Sequence, residues 1–131
     1  MTTLVLDTGT LISLDRNERD TWALLSVTVG AGDHVTVPAG VIAQAWRNGR
    51  RQARLAQALH HRDEIALDGA HARAVGLLCA ATNTSDIVDA SVAVTAAALA
   101  RHQPTILLTS DVDDLQPLLD ELGSTARIEP V

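Results

Sequence analysis

Short apolar segments alternate with longer stretches of mixed polarity along the whole chain. The apolar segments are rich in leucine and β-branched residues and end at turn-forming residues, a pattern typical of buried β-strands. We expect strands at residues 3–6, 34–38, 64–67, 105–108 and 126–128.

The stretches between these segments have helical periodicity and residues that favour helix caps. The predicted helices begin near residue 11 and then cover 19–29, 39–47, 50–61, 69–81, 87–101 and 115–122. Short strands separated by helices form a parallel sheet that is covered on both faces. We therefore expect an α/β fold, with a mainly parallel central sheet inside a single α/β/α sandwich domain over residues 1–131.

Composition narrows the class of protein. Hydrophobic residues make up 47% of the 131 residues and charged residues 20%, as in soluble globular domains. The chain has no apolar run long enough to span a membrane, and its first residues do not have the pattern of a secretory signal. The single cysteine, Cys79, excludes an internal disulfide and a multi-cysteine metal site. We expect a cytoplasmic protein.

The charge balance excludes several kinds of chemistry. Sixteen acidic and ten basic residues give a net charge of −6, which disfavours a nonspecific nucleic-acid coat protein. All ten basic residues are arginine. Without lysine the chain has no Schiff-base nucleophile and no P-loop, and an aspartate-nucleophile phosphatase, which needs Asp-x-Asp, is excluded because Gly9 follows Asp7 by two positions.

Four aspartates lie at the ends of predicted elements. Asp7 follows the first strand and Asp111 follows the strand at 105–108, whereas Asp86 and Asp89 lie one turn apart at the start of a helix. The carboxyl ends of strands line the ligand crevice in open α/β sheets. Carboxylates gathered there repel one another unless cations neutralise them, and Mg²⁺ or Mn²⁺ prefer such ligands. Each aspartate also fits the simpler role of a helix N-cap.

Four segments, 5–11, 37–43, 86–93 and 107–111, resemble the PIN-domain ribonucleases and, more narrowly, the VapC toxins of bacterial toxin–antitoxin pairs. They occur in the order found in that family and span essentially the whole chain. The resemblance implies a Rossmann-like α/β/α domain and metal-assisted cleavage of RNA that depends on Mg²⁺ or Mn²⁺. It also implies a homodimer that is inhibited by a small antitoxin protein.

The resemblance assigns roles to individual residues. Asp7, Asp89 and Asp111 match acids of the family and are expected catalytic and metal-binding residues. Asp86 matches an additional acid seen in some members and is expected to share both roles, by holding a second ion or by orienting a ligand. Gln44 stands where the family usually has glutamate. Glutamine brings no negative charge and is no base. The alternative hypothesis is therefore a non-catalytic or weakly active PIN-like module that binds RNA or protein.

Side chains around these acids suggest supporting roles. Three hydroxyl residues are expected either to hydrogen-bond the carboxylates or to cap helices: Thr8, Thr109 and Ser110. Four arginines within eight residues are candidates for contacts with RNA phosphates, or else form a solvated face: Arg47, Arg50, Arg51 and Arg54. Trp46 is expected to pack in the core or a dimer interface rather than against a base.

Overall fold

The computed structural model of the protein describes residues 1–131 and contains a five-stranded sheet flanked by seven α-helices. The strands are β1 (Thr3–Leu6), β2 (His34–Pro38), β3 (Asp63–Ile65), β4 (Thr105–Thr109) and β5 (Arg127–Pro130). The helices are α1 (Thr8–Asp15), α2 (Arg19–Gly30), α3 (Ala39–Ala45), α4 (Ala53–Leu59), α5 (Gly69–Thr82), α6 (Ile87–Ala100) and α7 (Val112–Glu121), with one 3-10 turn at Gly49–Arg51. All strand pairs are parallel, so the expected α/β class is confirmed.

The strand order determines where a crevice opens. The order is β3-β2-β1-β4-β5, so the chain builds outward from β1 to β3 and then returns to the other side of β1. The direction of winding therefore reverses between β1 and β4, which pair with Leu6 opposite Leu108. In doubly wound sheets the ligand crevice lies at this reversal, outside the carboxyl ends of the strands.

The core lies on both faces of the central strands. All four residues of β1 are buried, which explains the continuous apolar run of Leu4, Val5 and Leu6. Helix α6 contacts β1 and β4, and its alanines let the helix axis approach the sheet closely. None of the helices has the length and apolar character to cross a membrane.

The predicted helix at 50–61 is wrong in one respect, because it is interrupted. The 3-10 turn at Gly49–Arg51 comes first, and Gln52 then leaves the helical region with φ −117° and ψ 45° before α4 begins. The side chain of Gln52 is buried and bonded to backbone groups of the preceding loop, described below. These bonds, together with one to the distant Asp15, outweigh the local helical preference of the segment.

Other boundaries differ by a few residues. Helix α1 begins at Thr8 rather than near residue 11, because the Asp7 side chain caps it. Helix α7 begins at Val112 rather than at 115, directly after Asp111. The strands expected at 64–67 and 126–128 lie at Asp63–Ile65 and Arg127–Pro130.

Candidate functional site

Asp7 directly follows β1, and its side chain is buried, with 3% of the residue surface exposed. Its Oδ1 accepts a hydrogen bond of 2.9 Å from the backbone N–H of Thr10. The Thr10 hydroxyl lies 2.8 Å from the same oxygen and 2.9 Å from the Leu108 carbonyl oxygen, and it donates its proton to one of them. The Thr109 hydroxyl donates to Oδ2 of Asp7. These bonds offset the cost of burying the carboxylate. Thr10 was not predicted, although Asp-x-x-Thr at a helix start is a capping pattern.

Thr109 joins the ends of β1 and β4. Its side chain is fully buried, and its hydroxyl oxygen accepts a 2.8 Å hydrogen bond from the backbone N–H of Asp111 while donating to Asp7. Asp111 precedes α7, but its side chain makes no capping bond to that helix. Asp111 is also exposed, so its carboxylate makes no capping hydrogen bond and faces solvent.

Asp86 and Asp89 lie at the start of α6. Asp86 caps the helix, and its Oδ1 accepts a 2.9 Å hydrogen bond from the backbone N–H of Asp89. The half-buried carboxyl of Asp89 has its pKa raised to about 7, first by burial and then by the charge and hydrogen bond of Asp86. The charges of Asp111 and Asp114 raise the pKa further. Asp114 was not predicted, although its position one turn after Asp111 could have revealed it.

The arrangement and the chemistry of these carboxylates show how well they suit a metal ion. No three histidine, cysteine, aspartate or glutamate side chains are arranged to hold one ion together. Asp7, Asp89 and Asp111 therefore lie at the same end of the sheet without forming a closed cluster, that is, a set of three side chains that could bind one ion. Carboxylate oxygens are nevertheless the ligands that Mg²⁺ and Mn²⁺ prefer. The pKa of Asp89 is raised first by burial and then by the negative charges of Asp86, Asp111 and Asp114, and a bound cation would offset both effects. The residues therefore fit a divalent cation in donor type and charge.

Gln44 lies beside this group. It is exposed on α3, and its Oε1 accepts a 2.6 Å hydrogen bond from the hydroxyl of Thr8, the residue that follows Asp7. The structure therefore places Gln44 beside the residue that follows Asp7. The neutral amide contributes a carbonyl oxygen but no charge.

Gly9 and Ser110 set the spacing between α1 and the loop after β4. A Cβ atom at Gly9 would collide with Oγ of Ser110, so glycine allows this loop to approach the first turn of α1 closely. The exposed Ser110 lines a cavity of about 310 Å³ together with Asp111 and Asp114. The largest cavity, about 490 Å³, lies elsewhere, at the amino-terminal end of the strands near Thr3.

Comparisons with known proteins concern the fold. The sequence matches no protein-family model, and it matches no curated protein. Two solved structures are similar over almost the whole chain. VapBC2 from Rickettsia felis, bound to a DNA fragment from the promoter, matches with a TM-score of 0.71 and 13% identity, covering 98% of both chains. DNA-bound VapBC from Salmonella typhimurium matches with a TM-score of 0.69 and 14% identity, covering 99% of this chain and 98% of that one. The chain has a PIN-like fold.

The PIN-like core carries a basic loop, residues 46–52, after α3. This loop depends on Gln52, which is 8% exposed. Oε1 of Gln52 accepts hydrogen bonds from the backbone N–H groups of Arg47 (2.8 Å) and Asn48 (2.7 Å). Its Nε2 donates to the Ala45 carbonyl oxygen (2.9 Å) and to Oδ2 of Asp15 (3.2 Å). Sequence reasoning missed this role, because no local pattern distinguishes a buried glutamine from a surface one.

The predicted phosphate contacts are exposed, as such contacts require: Arg47, Arg50, Arg51 and Arg54. The 3-10 turn and the break at Gln52 place them on a loop and the start of α4 rather than on one helix stripe. The expected core packing of Trp46 is wrong, because 42% of its surface is exposed. Its indole ring lies against Gly49 instead.

Proposed function

We propose that this PIN-like chain is a divalent-metal-dependent endoribonuclease that acts as the toxin of a toxin–antitoxin pair. The observation that carries the proposal is the carboxylate group at the sheet reversal, where Asp86, Asp111 and Asp114 help to raise the pKa of Asp89 to about 7. Oxygen donors with uncompensated charge in a crevice favour divalent cations and phosphoryl transfer. The overall likeness to two VapBC complexes supports the same function.

Each residue has a role in this proposal. Asp89 and Asp111, with Asp7, would hold Mg²⁺ or Mn²⁺. The bound ion supplies positive charge that neutralises the carboxylates and the RNA phosphate and makes a nearby water more acidic. Asp89, whose pKa is raised to about 7, must lose its proton before the carboxylate can act as a ligand. Thr10 and Thr109 keep the Asp7 carboxylate fixed through hydrogen bonds.

The ribonuclease activity can be tested directly. Purified protein is incubated with structured RNA in Mg²⁺, Mn²⁺ or EDTA, and the ends of the products are mapped. We expect cleavage that leaves 5′-phosphates and that EDTA abolishes. Asp89→Asn and Asp111→Asn should each reduce it at least about 100-fold, the upper end of the loss that follows when a group that only orients a metal ligand is removed. Asp120→Asn, an exposed acid near the far end of α7, is the matched control and should leave the rate unchanged. RNA that stays intact with every metal contradicts the proposal.

The second candidate is a PIN-like binding module without catalysis. Two observations favour it, namely the neutral amide of Gln44 beside Thr8 and the lack of a closed three-ligand cluster. Gln44→Glu discriminates between the two candidates. If the chain is a nuclease weakened at this position, the substitution should increase metal-dependent cleavage. If RNA binds but neither protein cleaves it, the binding module is the better description.

The toxin role predicts partners. We infer that the chain forms a homodimer and is inhibited by a small antitoxin protein encoded beside it. Expression of the chain should arrest bacterial growth, and co-expression of the neighbouring small reading frame should relieve the arrest and co-purify as a complex. Asp89→Asn should not arrest growth. If Asp89→Asn arrests growth as strongly as the unmodified chain does, toxicity does not depend on the carboxylate site.

A further inference from the structure

Charge is segregated along the chain. None of its sixteen acidic residues lies between positions 34 and 62, although half of the ten arginines do. These five are Arg47, Arg50, Arg51, Arg54 and Arg62. Arg62 is partly buried near Thr3 at the amino-terminal end of the strands, so it does not belong to the same surface as the others. The other four are exposed on residues 46–52 and the start of α4, which therefore form a local surface of positive charge in a protein of net charge −6. Arginines at such a surface hold phosphate oxygens by charge-assisted, bidentate hydrogen bonds.

The basic loop is held in one conformation before any ligand arrives. Gln52 fixes the backbone N–H groups of Arg47 and Asn48 and ties the loop to α3 through the Ala45 carbonyl oxygen. Because the backbone is already ordered, a ligand does not have to order it on binding. The loop is thus a preorganised surface from which exposed arginine side chains project.

Trp46 gives this surface an aromatic face. The ring is 42% exposed, and a Cβ atom at Gly49 would lie only 2.8 Å from Cζ2 and 3.2 Å from Nε1 of the indole. Glycine at position 49 therefore allows the backbone to support the ring. An exposed, supported indole next to arginines has the properties of a base-stacking platform.

The platform adjoins the carboxylate site. Gln44 contacts Thr8, the residue after Asp7, and Trp46 follows Gln44 by only two residues. Two residues of chain span at most about 7 Å between Cα atoms. A strand of nucleic acid that crosses the basic loop therefore reaches the acidic end of the sheet.

We propose that the basic loop is the docking surface for single-stranded RNA, with Trp46 stacking on an unpaired base and Arg47, Arg50 and Arg51 holding phosphates. The proposal rests on the proposed ribonuclease function. Single strands are favoured over duplex because bases inside a duplex are already stacked and cannot cover the indole. The positive charge of the loop favours nucleic acid over an apolar protein partner.

Tryptophan fluorescence tests this without cleavage. In Trp22→Phe, Trp46 is the only tryptophan, so its emission in EDTA reports on the loop alone. We expect an unstructured RNA oligonucleotide to quench this emission and the same sequence as a duplex to leave it nearly unchanged. Trp46→Leu, made in the natural chain, should weaken single-strand binding about tenfold in a gel-shift assay. Arg51→Ala should lower the slope of log affinity against log salt by about one.

The controls separate the possible outcomes. Arg101→Ala removes an exposed arginine at the opposite end of α6 from Asp86 and Asp89, and it should not change binding. Unchanged affinity in Trp46→Leu overturns the docking surface, even if metal-dependent cleavage is found. Quenching by single-stranded RNA without cleavage in any metal supports the docking surface and refutes the nuclease. If Trp46→Leu instead converts a dimer to a monomer in sedimentation and leaves RNA affinity intact, Trp46 belongs to a protein interface.

Discussion

Gln52 is a buried polar residue whose removal should destabilise the fold measurably. Gln52→Leu preserves the volume of the side chain but deletes four hydrogen bonds, to the backbone of Arg47, Asn48 and Ala45 and to the carboxylate of Asp15. At a net contribution of about 1 kcal/mol each, these bonds are worth about 4 kcal/mol. Water can replace some partners, because Arg47 and Asn48 are exposed residues. We therefore expect a loss of about 2 kcal/mol in the free energy of unfolding.

Urea unfolding followed by circular dichroism measures this loss. With a slope of about 2 kcal/mol per molar urea, the midpoint should fall by about 1 M while the slope stays unchanged. Gln57→Leu, at an exposed position on α4, is the matched control and should shift the midpoint little. Equal midpoints for the two variants would refute the role given to Gln52.

A charge change at the same position tests the geometry. Gln52→Glu keeps an oxygen for the two backbone N–H groups but replaces the Nε2 donor, so the introduced carboxyl faces Asp15 and the Ala45 carbonyl oxygen. Repulsion raises the pKa of the introduced carboxyl in the fold, so its destabilising effect grows as pH rises and shrinks toward about pH 4. Adding Asp15→Asn should recover part of the lost stability at neutral pH. If the effects of Gln52→Glu and Asp15→Asn on the free energy of unfolding are additive, the two side chains are not in contact.

Three further predictions concern the carboxylate end of the sheet. The pKa of Asp89 is raised from 3.8 to about 7 in the fold, so its favourable contribution is present below about pH 4 and is lost as pH rises through about 7. The thermal stability of Asp89→Asn, measured relative to the unmodified chain, should therefore be greater at about pH 8 than at about pH 5. An equal difference between the two proteins at both pH values would contradict the pKa shift. Thr109→Val removes the donor to Asp7 and the acceptor for the Asp111 N–H, and it should lower unfolding free energy by about 1–3 kcal/mol, whereas Thr109→Ser should lose less. Gly9→Ala should stabilise the fold by less than the roughly 0.5–1 kcal/mol that alanine contributes in a helix, because the introduced Cβ forces Oγ of the exposed Ser110 to rotate away. A Ser110→Ala background should restore the full gain. Urea midpoints for the single and double variants decide this last prediction.

The central part of the fold was predictable because its local and long-range preferences agree. Residues 3–6 and 34–38 are strands in both the prediction and the structure, since they are short, apolar and bounded by turns. The placement of Asp7 and Asp111 followed from the predicted strands at 3–6 and 105–108. In each of these cases the side chains of a few neighbouring residues are enough to explain why the strand forms and where it ends.

The unpredicted features depend on contacts between distant residues. Gln52 breaks a helical segment because its partners include Asp15, 37 positions away. Thr109 joins Asp7 and Asp111 only after β1 and β4 have paired. Periodicity within a window of residues contains no information on such contacts.

The pairing of β1 with β4 has a consequence for protein synthesis. During translation Asp7 leaves the ribosome well before its partner Thr109, which lies 102 positions later in the chain. A nascent chain that ends before β4 therefore lacks both the hydroxyl that fixes the Asp7 carboxylate and the second carboxylate at Asp111. The acidic site is assembled only after β4 and Asp111 have been synthesised, so chains that end before β4 are expected to be inert.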